Sequence, residues 1–164
     1  MRNKLGTSLG SLVLAATIAA LAPPTAWADP PQPASGDFVV EHLVPTSIQP
    51  RGAVTFIELT AVFRLEDTFD GAFTADFSIV HLGALDEPAQ EIFFAEGTFE
   101  GEVDAATGTF DFVFVGGIDA EGFAEGKLVI LRGTGDLANL QGWINLAGVA
   151  GVEGSYEGHI QFAP

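Results

Sequence analysis

From Gly36 to the carboxyl end, apolar and polar residues alternate with a period of two, and phenylalanine recurs on the apolar side. That period sends alternate side chains to opposite faces of an extended strand, so the chain is confined to β-sheet with a shared interior for its rings. The pattern is cleanest in Phe69, Gly71, Phe73, Ala75, Phe77, Ile79 and His81, opposed by Asp70, Ala72, Thr74, Asp76 and Ser78. It returns in Phe93, Ala95, Gly97, Phe99, Gly101 and Val103 against Glu96, Thr98, Glu100 and Glu102. Phe110, Phe112 and Phe114 repeat it, and so do Val152, Gly154, Tyr156, Gly158, Ile160 and Phe162 against Glu153, Ser155, Glu157, His159 and Gln161. Weaker alternation over 37–44, 54–65, 122–131 and 142–150 raises the strand number to about eight, which closes a small barrel.

The expected fold is therefore all-β, an eight-stranded antiparallel barrel over residues 37–164, with a two-sheet sandwich as the alternative. Glycines at 71, 97, 101, 154 and 158 share faces with aromatics, as a curved sheet with gaps for large side chains requires. No sustained 3.6-residue period follows residue 28, and the single helical turn allowed is Asp136–Leu140.

The amino terminus has a different grammar. Arg2 and Lys4 precede an apolar run from Leu9 to Leu21, and Ala26-Trp27-Ala28 presents small residues where signal peptidase cuts. Residues 1–28 are expected to be a secretion signal, helical before cleavage, and the run is short for a bilayer span. The mature chain is then secreted, or periplasmic and in the cell envelope, with no membrane span of its own. Residues 29–36, with Pro30, Pro31 and Pro33, resemble an extended tether. With no cysteine in the chain, the fold must rest on its packed core. All 22 acidic residues but only four of the six basic ones follow Ala28, a formal charge of −18 for that part. Such a surface repels phosphate backbones and anionic headgroups, which argues against nucleic-acid and peripheral-membrane partners. It favours solubility, with at most weak attraction for cations such as calcium.

The segment Arg132-Gly133-Thr134-Gly135-Asp136-Leu137-Ala138-Asn139-Leu140-Gln141-Gly142, with the preceding Gly97-Thr98-Phe99-Glu100-Gly101 and Gly108-Thr109-Phe110, resembles the allene oxide cyclase-like barrels. That superfamily also holds dirigent proteins and an uncharacterised bacterial family, and the likeness covers residues 95–162 best. The resemblance implies an eight-stranded antiparallel barrel with an apolar interior and fixes no activity. Physically, Gly133 and Gly135 allow a reversal that Thr134 can brace, and Leu137 and Leu140 can plug a barrel end. Too few amides and no lysine are present for a phosphate loop.

Catalytic chemistry is poorly supplied. Ser78 and His81, three apart on a strand, face opposite sides, and no nucleophile elbow occurs. His42 and His159 sit among polar neighbours. No cysteine, His-x-His or calcium loop is present, so no metal site or cofactor is expected. No pair among so many carboxylates stands out for glycoside hydrolysis. His81 and Glu91 differ, because each continues an inward-facing row at the ends of one loop. They are the candidate ligand-binding pair at a barrel mouth, against the plainer alternative that each marks where its strand leaves the core. The expected function is a secreted, non-catalytic barrel holding a small apolar ligand, or a structural envelope component with a filled interior. The alternative is an isomerase, cyclase or stereochemical guide of the allene oxide cyclase or dirigent type. A cavity of about 300 Å³ lined by His81 or Glu91 would favour the ligand-holding barrel or the isomerase.

Overall fold

In the computed structural model, which describes residues 30–164, each alternating stretch becomes a strand. The order is β1 (Gln32–Arg51), β2 (Val54–Leu65), β3 (Phe69–His81), β4 (Glu91–Val103), β5 (Ala106–Ile118), β6 (Phe123–Gly135), β7 (Leu140–Val149) and β8 (Glu153–Phe162). Every strand pairs antiparallel with its neighbours in sequence, and β8 returns to β1 to close the barrel. The expected signal helix over residues 1–28 lies outside the described residues. No helix among the described residues is long and apolar enough to cross a membrane.

Two boundaries differ from expectation. The segment 29–36 is not a free tether, since Gln32–Gly36 already pairs with Ile160–Tyr156 of β8. β1 also runs to Arg51, seven residues beyond Val44. Its register against β2 shifts between Val40 and His42 and again between Pro45 and Ser47. Each shift reverses which side chains face inward, so alternation fails there although pairing continues. Beyond Val39 this strand pairs with β2 alone, apart from the Val40 amide on the Val152 carbonyl. Pro45 and Pro50 remove two donors from that exposed stretch, a common protection for an edge.

The inward rows meet as the pattern requires. Phe69, Phe73, Phe99, Phe110 and Phe112 are at most 2% exposed and touch ring to ring, with Phe99 and Phe110 stacked at 4.7 Å between centroids. Glycines make room for them: a Cβ on Gly97 would lie 2.6 Å from the Phe112 ring, and one on Gly71 2.7 Å from that of Phe99. The barrel has two unlike ends. One carries the β2–β3, β4–β5 and β6–β7 turns and both ends of the described chain, and is sealed by Leu65, Phe69, Val103, Leu137 and Leu140, all essentially buried. The 136–139 segment forms a hydrogen-bonded turn rather than a helix, with the Leu137 amide on the Thr134 carbonyl and that of Leu140 on Leu137. It turns both leucines inward, where they plug this end as the spacing of the motif leads one to expect. The other end carries the β1–β2, β3–β4, β5–β6 and β7–β8 connections and is not filled.

Candidate functional site

His81 is the last residue of β3 and Glu91 the first of β4, and the antiparallel register sets them directly opposite each other. Both keep the inward parity of their strands. His81 Nδ1 lies 2.9 Å from Glu91 Oε1 and Nε2 lies 2.9 Å from the Ala84 carbonyl oxygen in the loop between them. The side chains are 8% and 21% exposed. His81 and Thr55, its neighbour on β2, are the buried polar residues of the described chain.

Carboxylate and carbonyl both accept, so both bonds form only when both ring nitrogens carry hydrogen. The imidazolium is accordingly favoured, and the His81 pKa rises above its ordinary 6.5. The Glu91 hydrogen bond contributes most and the Ala84 carbonyl next, with burial opposing them. Because the folded value is the raised one, the stabilisation is complete below 6.5 and lost as pH rises through the folded-state pKa. The difference in Tm between the wild type and His81→Gln should be largest below pH 6.5 and shrink towards alkaline pH. A difference constant across that range would mean that the ring is held neutral.

Sequence reasoning brings these two residues together correctly, but they do not line the interior space. That space is a cavity of about 90 Å³ in the open half, walled by Phe38, Phe63, Phe77, Phe93, Phe114 and Leu59. Its rim is formed by Val40 and Leu43 of β1 and by the Val149–Gly151 segment before β8. It is well below the 300 Å³ of ordinary ligand pockets, and neither His81 nor Glu91 touches it. The rings explain the size: Phe77, Phe93 and Phe114 pack on one another at 4.9–6.1 Å and fill most of the section they share.

The rim residues escaped the sequence reading. Val40 and Leu43 stand on either side of a register shift, where parity gives no guidance, Ala150 ends the weakly alternating 142–150 stretch one residue beyond β7, and Gly151 looks like an ordinary turn residue. The unbroken Val39-Val40 pair followed by Leu43-Val44 was the available signal, an apolar run on a strand exposed on both sides. Among the described residues, no three His, Asp or Glu side chains gather where they could hold a metal ion.

A solved structure from Shewanella oneidensis MR-1, described as a protein with unknown function from the DUF3224 family, has the same fold. It superposes with a TM-score of 0.67 over 82% of this chain and 100% of that one, at 17% identity. No curated protein matches the chain. The model of the family described as "Protein of unknown function (DUF3224)" matches residues 34–160, which takes in all but the ends of the barrel, and the chain therefore belongs to the DUF3224 family.

Proposed function

We propose that this chain is an exported, non-catalytic barrel whose open end receives the apolar end of a small ligand. The observation that carries this is the asymmetry of the interior: solid aromatic packing from the sealed end to the middle, then an apolar cavity that reaches the surface at the opposite end. A purely structural barrel has no use for such a gap, since filling it would add stability. Export rests on the signal pattern of residues 1–28. The exterior carries Glu58, Asp76, Glu96, Glu100 and Asp111 on successive strands while the interior is apolar. Exposed apolar side chains such as Ile92, Phe94 and Val115 stand among these acids.

An isomerase or cyclase of the allene oxide cyclase or dirigent type draws less support. Such chemistry needs the substrate enclosed against a steering polar group. Here the cavity is small, and both nitrogens of the buried imidazole are already engaged outside it.

Titration with a neutral hydrophobe such as hexanol, followed by amide chemical shifts, tests the proposal. Shifts should concentrate at Leu59, Phe77, Phe93 and Phe114. Ala61→Leu, which adds three carbons to the cavity wall, should weaken binding by about tenfold or more. Shifts scattered over the outer surface, or an unchanged affinity in Ala61→Leu, would remove the cavity from consideration.

A further inference from the structure

We infer that the ligand is an amphiphile with a short apolar end and a cationic head, the head resting in an acidic groove beside the cavity. This rests on the cavity being a binding site. A space of about 90 Å³ is smaller than the roughly 150 Å³ that accommodates benzene, so it takes only a short segment and the rest of the ligand must lie outside. The space outside is not featureless. A groove of about 410 Å³ adjoins the cavity and shares Ile118 and Glu125 with it.

The groove is lined by three carboxylate residues, Glu91, Asp119 and Glu125, together with Gln90, and by no lysine or arginine. Glu91 is engaged with His81, and Asp119 Oδ1 accepts from the Glu121 and Phe123 amides. Glu125 is exposed and has no ion pair with a cation of the described chain. The four basic residues after Ala28 are all occupied elsewhere. Arg64 pairs with Asp70 and Arg132 with Asp111, while Arg51 lies over the Phe56 ring and Lys127 over Trp143. Among the described residues no cation is paired with Glu125 or Asp119, so a cationic head in the groove would meet carboxylates that no Lys or Arg already screens.

Phe123 adds a second element. It is 43% exposed and lines the same groove, so it offers a ring face or edge to an ammonium group next to the carboxylates. An anionic head would meet those carboxylates and the field of a strongly acidic surface. Tail burial and head charge are thus selected by two adjoining surfaces.

Three probes with one tail separate the contributions: hexyltrimethylammonium, hexanol and hexanoate, measured by calorimetry at pH 7 in about 20 mM and about 200 mM salt. The ammonium should bind tightest and hexanoate weakest, with about tenfold between them at low salt. Added salt should narrow that gap and leave hexanol unchanged. Glu125→Gln, an exposed position whose change does not threaten the fold, should weaken the ammonium selectively. Equal affinities for the three probes, tightest binding of hexanoate, or no effect of Glu125→Gln on the ammonium would overturn the cationic head while leaving the cavity as a binding site. Failure of all three probes to bind would instead defeat the cavity reading itself.

Discussion

Replacing Phe69 by alanine should destabilise the barrel by about 3–5 kcal/mol, read from the midpoint of urea unfolding at constant slope. Phe69 is fully buried at the start of β3, and its ring meets Phe99 at 5.7 Å, Phe110 at 5.9 Å and Tyr156 at 5.5 Å, all edge to face. Those partners come from β4, β5 and β8, so one ring ties together strands on different sides of the sealed end. Its loss removes apolar contact area and leaves a void that stiff aromatic neighbours fill poorly. A domain of this size has only about 5–15 kcal/mol in total, so the variant approaches the limit of folding at ambient temperature. Phe94 supplies the control. It alternates outward on β4 and is 44% exposed, and Phe94→Ala should change stability by no more than about 0.5 kcal/mol. Comparable losses in the two variants would contradict the inside–outside assignment of the rows.

The second large effect is expected at Tyr156, where removing one oxygen should cost about 2–4 kcal/mol. The Tyr156 hydroxyl donates to the Glu66 carbonyl at 2.6 Å and accepts from the Phe69 amide at 3.0 Å, so it joins β8 to the β2–β3 turn. Tyr156→Phe keeps the ring and its packing but leaves a buried donor and an acceptor unmatched. Burial also pushes the phenol pKa up, from 10.0 to about 12, against the opposing help of the Phe69 amide. The neutral phenol is thus the form the fold prefers: its contribution is whole below pH 10.0 and disappears as pH climbs to about 12. This is the chain's single tyrosine, so phenolate absorbance follows it alone, and a folded-state midpoint near 10 would contradict the assignment. Since the amide that Tyr156 holds belongs to Phe69, the double variant should lose less than the two single losses together.

Where strands alternate without interruption, sequence and structure agree residue by residue. The row from Phe69 to His81 faces inward throughout, and the opposing positions are exposed or half-buried. The glycine gaps were legible for the same reason: a residue two places from a phenylalanine shares its wall, and only a missing side chain admits the ring. The approach of His81 and Glu91 followed from parity plus one loop. Legibility ends where parity is broken or volume decides. Pro33 looks like linker, yet it pairs with His159, because the ladder tolerates proline where its nitrogen is not called on to donate. Two register shifts hide the true length of β1. Whether five phenylalanines fill a ring of strands or leave a hollow depends on rotamers and interatomic distances, which a period of two does not encode. The inward row points to an interior and cannot say how much of it is empty.

Residues Gln32 and Phe162, near the two limits of the described chain, both lie at the plugged end, where the Ala163 amide also bonds to the Asn139 carbonyl. Immobilising the protein through a linker attached beside Gln32 or Phe162 would therefore set the plugged end against the support, with Leu43 and Gly151 turned to the flowing solution. A sensor surface made in this way keeps the open end of the barrel unobstructed, and the same holds for a fusion partner attached there.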